Sequence, residues 1–266
     1  MYLYSCSQDH YQVSVVIRTC NRPYSLLQAI DSVNAQTFSN IEIIIVNDGD
    51  ILPALNNSLK KSIRIIEPIN KRNRSAAANI GWQNAQGNFI CFLDDDDLFT
   101  PDHIQTLLFQ LEMHPWYSVC YSGVLITFPD RRKQRLWVNP FDIARLLKEN
   151  FIPIHSVLIR KEVLTAVNGF DETVDMFEDW DLWLRMAEKG FSFLPVKAWT
   201  AIYRQHEDGT LNQAGFGSDK DISARLKVIS KHESMIRNYL EKQGLSGRIK
   251  VRLRTWLFKI AKELLC

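Results

Sequence analysis

The most constraining feature of this sequence is an apolar run, Phe89–Leu93, that leads directly into four carboxylates, Asp94 to Asp97. An apolar run of this length, rich in aromatic and branched side chains, predicts a strand buried on both faces. Four adjacent acids cannot stay in a core, because an unpaired buried charge is very costly. The strand must therefore end at the acids. They face either a divalent cation, at the strand end where open α/β sheets bind ligands, or solvent, as an ordinary acidic loop.

Strands alternate with helices through the first half of the 266-residue chain. Two β-branched runs, 13–18 and 41–46, also end in polar segments, at 19–23 and 47–50. This alternation predicts an α/β fold with a mostly parallel central sheet flanked by helices. Right-handed crossovers place the three polar segments on one edge of the sheet, which makes that edge the candidate site.

Charge is unevenly distributed along the chain. The net charge is +2, but residues 221–266 carry eleven Lys and Arg against four Asp and Glu, so the remainder is acidic. A basic tail predicts contact with an anionic partner. Five scattered cysteines without a C-x-x-C pair favour a reducing compartment. We find no evident signal peptide and no run long enough to span a membrane. We therefore expect a cytoplasmic protein and no nucleic-acid partner.

Several motifs, in the same order, resemble those of family 2 glycosyltransferases of the GT-A fold. The resemblance covers roughly residues 13–206 and includes a D-x-D motif read as Asp94-x-Asp96 and an E-D motif at Glu178-Asp179. One departure is Arg74, which stands where glycine is common in the family. The resembling segments are, in chain order, 13–23, 43–49, 73–81, 92–97, 169–172 and 178–185.

The resemblance implies a nucleotide-sugar donor and a divalent metal, Mn²⁺ or Mg²⁺, that clamps the diphosphate oxygens. It makes Asp96 the nearer metal ligand, with His206 as a further candidate, and Asp94 the nucleotide contact. Of the remaining acids, Asp95 is included among the donor-side residues, although it and Asp97 are expected to face away and brace the loop. The full predicted donor-binding set is Thr19, Asn21, Arg22, Asp48, Arg74, Asn79, Asp94 and Asp95.

Transfer also needs a base for the acceptor hydroxyl. The resemblance assigns that role to Asp179, with inversion at the anomeric carbon. Glu178, Trp180 and His155 are expected on the acceptor side. For each, a structural role remains open: Glu178 could cap its helix, Trp180 could lie in the core and His155 could be packed.

The segment 246–262 mixes cations with large apolar groups. It is compatible with a helix on an anionic membrane surface, a solvated helix packed on the body, or a dimer contact. A membrane contact would place the protein at the inner face of the membrane and suit a lipid-linked acceptor.

These observations predict an N-terminal extension at 1–12, a GT-A domain at 13–217 and a basic helical tail at 218–266. The domain divides into a nucleotide-binding half, 13–115, and an acceptor half, 116–217. The predicted activity is transfer from a UDP-sugar, or less favourably a dTDP-sugar, to a glycan or lipid-linked hydroxyl in surface polysaccharide synthesis. The alternatives are a sugar-1-phosphate nucleotidyltransferase, which needs a glycine-rich phosphate loop, and a non-catalytic sugar-nucleotide- or glycan-binding subunit.

Overall fold

The computed structural model describes residues 12–54, 61–68, 73–128, 130, 134–137, 139–205 and 218–244. The strands of this part are β1 Val13–Thr19, β2 Ile41–Asn47, β3 Ser62–Ile66, β4 Phe89–Asp94, β5 Leu98–Phe99, β6 Val119–Thr127, β7 Gln134–Trp137, β8 Val157–Arg160 and β9 Phe193–Arg204. The helices are α1 Pro23–Asn34, α2 Arg74–Asn84, α3 His103–Met113, α4 Ile143–Leu146, α5 Lys161–Val167, α6 Glu178–Glu188, α7 Asp219–Lys231 and α8 Glu233–Lys242. A 3₁₀ turn, Ile154–Ser156, precedes β8.

These strands form one sheet in the order β3-β2-β1-β4-β8-β6-β9-β5, with β7 paired to β6. The first four, β3-β2-β1-β4, are parallel. Ile17 of β1 lies opposite Ile45 of β2 and Leu93 of β4, and all three are fully buried. Continuous apolar runs therefore form the centre of the sheet, as expected for strands covered on both faces. The predicted α/β fold, with parallel strands at its centre, is confirmed.

The second half of the sheet is mixed. Strand β8 runs antiparallel to β4 and β6, whereas β9 runs parallel to β6. Residues Phe193–Arg204 form one long strand, β9, with irregular pairing opposite Ser122–Gly123. Strand β5 was not predicted, because its two residues are too short for any periodicity; it pairs with β9 at the end of the sheet.

Two helical layers cover the sheet. Helices α1 and α3 bury Leu26, Ile30 and Leu107 against one face. Helices α2, α5, α6, α7 and α8 lie over the other face, where the core contains Trp183 and Ile229 among many apolar side chains. The spacing of apolar residues along these helices thus gives each of them a side that packs on the sheet.

Ser218 caps the N-terminus of helix α7, and its side chain accepts a hydrogen bond from the Asp221 amide at 3.2 Å. Helices α7 and α8 agree with the helical character predicted for the tail. The segment 246–262, for which a membrane-surface helix, a helix packed on the body and a dimer contact were the alternatives, lies outside the described residues. Within the described part, none of the helices combines the length and the apolar character that crossing a bilayer requires.

Candidate functional site

The candidate site lies at the carboxyl ends of β2, β1 and β4, which are neighbours in the sheet. The register places Thr19 opposite Asn47 and Arg18 opposite Asp94. The Asp48 amide donates a hydrogen bond to the Thr19 carbonyl at 2.9 Å, which joins the two polar loops. The three polar segments identified in the sequence therefore share one edge of the sheet.

Asn21 supports the turn that follows β2. Its side-chain oxygen accepts hydrogen bonds from the amides of Asp50 at 2.7 Å and Ile51 at 3.2 Å, and its own φ is +56°. A Cβ at Gly49 would lie 2.5 Å from the Asn21 nitrogen, so only glycine fits this close approach. Asn21, predicted to bind the donor, thus orders the loop that carries Asp48.

Asp95 braces the loop after β4. Its carboxylate accepts a hydrogen bond from the Thr19 hydroxyl at 2.7 Å and pairs with Arg22 at 3.1 Å, and the residue is 4% exposed. Arg22 also pairs with Asp96 at 2.7 Å. The structure therefore gives Asp95 and Thr19 each other as partners, which agrees with the bracing role also considered for Asp95. Their contacts with the donor stay predictions.

Asp94, Asp96 and Asp97 form a group that we call the acid cluster. Each offers a carboxylate oxygen, and these oxygens lie within 4.8 Å of one another. Asp97 was expected to face away from the site, and this expectation is wrong. Its carboxylate is buried, accepts a hydrogen bond from the Arg204 amide at 3.1 Å and pairs with His155 Nδ1 at 3.0 Å. Backbone and ring N–H donors thus orient Asp97 toward the other two acids.

Arg18 is a buried arginine that the sequence reasoning did not identify. It connects an acid of β4 with an acid of α6. Arg18 is 5% exposed and contacts Asp94 at 2.5 Å and Glu178 at 2.9 Å. Arg74 lies 2.5 Å from the other oxygen of Asp94 and 3.5 Å from Glu178. Two guanidinium groups therefore neutralise two carboxylates, one from β4 and one from α6, as the high cost of unpaired buried charge requires.

This arrangement determines the ionisation of both acids. Burial alone would raise the pKa of Asp94, but Arg18 and Arg74 hold it well below its usual value. Burial would likewise raise the pKa of Glu178, but Arg74 and Arg18 outweigh that effect and lower the pKa. Glu178 was predicted on the acceptor side, and the structure instead orients its carboxylate toward Arg18. Both acids are therefore anionic at neutral pH.

Asp179 differs from its neighbour. It is partly buried, and burial together with the negative charge of Glu178 raises its pKa to about 6. A hydrogen bond from Asn150 and one from the Trp180 amide at 2.8 Å act in the opposite direction. A carboxylate with a pKa close to neutral can both accept and release a proton at physiological pH.

Asp96 also has a raised pKa, about 6, because of burial and the nearby charges of Asp94 and Asp97. Three carboxylates this close repel one another, and any cation placed among them relieves that repulsion. Arg22 supplies part of that positive charge at 2.7 Å.

Asn79, predicted to bind the donor, has other partners. Its side-chain NH₂ donates to the Phe170 carbonyl at 2.9 Å and to Glu172 at 3.1 Å. Its oxygen accepts from the Phe170 amide at 2.8 Å and from Trp82 Nε1 at 3.0 Å. The amide group therefore attaches α2 to the turn at 169–172, and the donor contact of Asn79 stays a prediction. Gly169 in that turn has φ +61°.

The two remaining acceptor-side predictions also need correction. Trp180 is fully buried and its Nε1 donates to the Leu146 carbonyl at 2.6 Å, so it cannot stack on a sugar. His155 is 3% exposed, pairs with Asp97 and stacks on Tyr203 at 6.0 Å between ring centroids. It belongs to the acid cluster rather than to an open surface. His206, the further metal candidate, lies outside the described residues.

Arg18, Asn150 and Asp97 are site residues whose importance the sequence reasoning missed. A weak signal existed for Arg18, since a single charge at the end of an apolar strand must find a partner. Asn150 carried no signal, because it lies in an irregular segment remote in sequence from Asp179.

The model of the family described as "Glycosyl transferase family 2" matches residues 14–165. The uncharacterized glycosyltransferase YwdF of Bacillus subtilis is 28% identical in an alignment of 219 residues that covers 79% of this chain and 80% of YwdF. The uncharacterized glycosyltransferase RT0329 of Rickettsia typhi is 26% identical over 261 residues, covering 92% of this chain and 77% of that protein.

Two solved structures share the fold. S. aureus TarS 1–349 in complex with UDP-GlcNAc has a TM-score of 0.62 at 13% identity, with 95% of this chain and 80% of TarS covered. The mannosyltransferase PcManGT from Pyrobaculum calidifontis, in complex with GDP-Man and Mn²⁺, has a TM-score of 0.56 at 13% identity. That match covers 97% of this chain and 86% of PcManGT.

Proposed function

This chain belongs to glycosyl transferase family 2, and from that premise we propose that it moves a sugar from a UDP-sugar to an acceptor hydroxyl with inversion. A dTDP-sugar is the less favoured donor. Asp179 is the base, and Asp94, Asp96 and Asp97 form the metal-binding cluster. One observation carries the proposal. Arg74 lies 2.5 Å from Asp94 of the acid cluster and 3.5 Å from Glu178, the residue next to Asp179, so the proposed base and the acid cluster border the same space.

The acid cluster fits a hard divalent cation. Its three candidate ligand atoms are all carboxylate oxygens within 4.8 Å of one another, and oxygen is the ligand that Mg²⁺ and Mn²⁺ prefer. Asp94, Asp96 and Asp97 would hold the ion. When bound, it would neutralise charge on the diphosphate as the sugar leaves. A donor diphosphate would also meet Arg74, the half-exposed cation beside Asp94.

The proposed reaction uses the contrast between Glu178 and Asp179. The acceptor hydroxyl gives its proton to the Asp179 carboxylate while its oxygen bonds to the anomeric carbon. The bond from that carbon to the diphosphate breaks, and its electron pair stays on the diphosphate oxygen. Attack opposite the leaving group inverts the centre. Glu178, ion-paired with Arg18 at 2.9 Å, stays anionic and raises the proton affinity of Asp179.

The preference for uracil comes from two sources. Asp48 follows β2, and its backbone amide donates a hydrogen bond to the Thr19 carbonyl. From this position the Asp48 carboxylate could accept a hydrogen bond from the N3–H of uracil or thymine. TarS was solved with UDP and with UDP-GlcNAc. We therefore take UDP as the first probe. The acceptor is proposed to be a glycan or lipid-linked hydroxyl in surface polysaccharide synthesis, reached from the cytoplasmic face of the membrane.

A combined binding and turnover measurement tests the proposal. UDP and UDP-GlcNAc should each raise the melting temperature more with Mn²⁺ than with EDTA, since a ligand of the native state stabilises it by mass action. UDP release from UDP-sugars should fall as the pH drops through about 6, where Asp179 becomes protonated. Asp179→Asn should keep donor binding and lose turnover. Wild-type turnover in Asp179→Asn would exclude it as the base.

Two other outcomes would indicate the alternative functions. Release of pyrophosphate from UTP and a sugar-1-phosphate would indicate a nucleotidyltransferase. Metal-dependent UDP-sugar binding with no turnover under any acceptor tested would indicate a binding subunit.

A further inference from the structure

Helix α7 lies outside the region that the family model matches, yet it contacts the segment that leads into the proposed base. That segment, 171–177, ends at Phe177, the residue immediately before Glu178 and Asp179. Phe177 has φ +63° and ψ +33° and occupies the N-cap position of α6. A left-handed conformation is unfavourable for a bulky residue and persists only where the surroundings enforce it.

The surroundings of Phe177 include Arg225 of α7. The Arg225 guanidinium lies 4.6 Å from the centroid of the Phe177 ring, and Asp221 holds the guanidinium through two contacts at 3.1 Å. On another side, the Phe177 ring meets Trp180 edge-to-face at 6.1 Å. The ring is therefore held between a buried tryptophan of α6 and a fixed cation of α7.

Two lysines of α7 hold the rest of the segment. Lys227 Nζ donates to the Thr173 carbonyl at 2.7 Å. Lys231 Nζ pairs with Asp171 at 2.5 Å and with the fully buried Asp181 of α6 at 2.6 Å. The next residue, His232, contacts the same Asp181 at 2.9 Å.

The opposite side of the segment is attached to α2. The Asn73 side chain donates to the Glu172 carbonyl at 2.6 Å, and the Ser75 hydroxyl donates to the Val174 carbonyl at 3.0 Å. Helix α2 also carries Arg74, which contacts Asp94. The segment thus contacts both α2 and α7. Helix α2 also contacts the acid cluster through Arg74, whereas the α7 contacts described above involve no acid of that cluster.

We infer that α7 positions the base: Arg225, supported by Lys227 and Lys231, holds segment 171–177 and Phe177 so that Asp179 faces the reacting centre. Arg225 is a positioning residue, since it acts through Phe177. This inference rests on the proposed function for its effect on turnover. Its structural part, the attachment of the segment, does not depend on that function.

Arg225→Leu tests the inference, and Arg237→Leu on α8 is the matched control. Arg237 makes the same kind of i,i+4 pair with an acid, Glu233, at 2.7 Å. Loss of the contact to Phe177 should lower kcat about tenfold or more, because a misplacement of about 1 Å in a catalytic group can cost about a hundredfold in rate. The Kd for UDP with Mn²⁺ should change less than about twofold, because the donor contacts lie on other elements.

Arg225→Lys keeps a cation over the ring and should recover most of kcat. Amide hydrogen exchange of 171–177 should be faster in Arg225→Leu than in wild type and unchanged in Arg237→Leu. Should Arg225→Leu fail to fold, Lys227→Met takes its place, because the bond from Lys227 to Thr173 lies at the surface.

An unchanged kcat in Arg225→Leu overturns the inference, as does an equal loss of kcat in Arg237→Leu or a parallel loss of UDP affinity. If wild type shows no turnover with any donor, the proposed function fails. Amide hydrogen exchange alone then tests whether α7 holds segment 171–177. Faster exchange of 171–177 in Arg225→Leu then supports the attachment to α7, and unchanged exchange overturns it.

Discussion

Arg18 Nη1 lies 2.9 Å from Glu178 Oε1, although 160 positions separate the two residues in the chain. Arg18 is the last residue but one of β1, and Glu178 begins the helix that carries the proposed base. The same guanidinium contacts Asp94 at the end of β4. One buried cation therefore connects the strand that carries the acid cluster with the helix that carries Asp179.

Arg18→Met should destabilise the protein by about 3–5 kcal/mol, because it leaves two buried carboxylates with Arg74 as their remaining counter-charge. Urea unfolding at pH 7 measures the change. Glu178→Gln alone should lower the free energy of unfolding by less, because it removes a buried charge and so leaves no carboxylate at that position that requires a counter-charge. The double variant should be more stable than the sum of the two single effects predicts, by about 1 kcal/mol or more. Simple additivity would show that the two residues are not coupled.

Asp179→Asn should stabilise the protein at alkaline pH. The folded-state pKa of Asp179 is raised to about 6 by burial and by Glu178, so its protonated form is favoured in the native state. The resulting stability is present below the unfolded pKa of about 4 and is lost as the pH rises through about 6. We expect the variant to exceed wild type by about 1–2 kcal/mol at pH 8 and to match it at pH 4, by urea unfolding at both values. A difference of equal size at both pH values would contradict the raised pKa.

Asp96→Asn should remove the metal-dependent part of UDP binding, because it takes one of three charged oxygens from the cluster. In wild type, saturating UDP with Mn²⁺ should raise the melting temperature by about 5 °C or more over UDP with EDTA. In the variant, the two conditions should differ by about 1 °C or less. Asp102→Asn, an exposed acid bonded to Thr100 outside the cluster, is the control and should behave as wild type. A full metal response in Asp96→Asn would exclude this residue as a ligand.

Asn79→Ala should lower stability without affecting the donor. It leaves the Trp82 Nε1–H and the Phe170 amide without their acceptor, which should cost about 2–4 kcal/mol. The Kd for UDP with Mn²⁺ should stay within about twofold of wild type. Asn84→Ala, on the same helix but exposed and bonded to Ile80, is the control and should cost under about 1 kcal/mol. A large loss of UDP affinity with unchanged stability would restore the donor role predicted from the motif.

The sequence was sufficient for the frame of this protein. Apolar runs that end in polar residues identify β1, β2 and β4, and the parallel alternation of strands and helices brings their carboxyl ends to one edge. These features depend on local pattern and on the general rules of chain connection. The position of the acid cluster at that edge was predictable for the same reason, because Asp94 and Asp96 follow a buried strand directly.

The roles of individual side chains within the motifs were less predictable. Asn79, Asp95 and Trp180 all fall in motifs of the expected family, yet the structure gives each a partner that holds the fold together. A motif specifies which residue type stands at a position. It does not specify where that side chain points once a loop has closed over it, because the direction depends on atoms from other segments.

The sequence by itself determined the α/β sheet, the order of its strands in the chain and the edge at which the acids meet. Only the tertiary structure decided that Arg18 pairs with Glu178 and that Arg225 lies over Phe177. The physical reason is that hydrophobic periodicity indicates which face of an element is buried. A charge or a ring in the sequence indicates only that the side chain requires a partner when it is buried. The partner is supplied by whichever distant segment the completed fold places next to it.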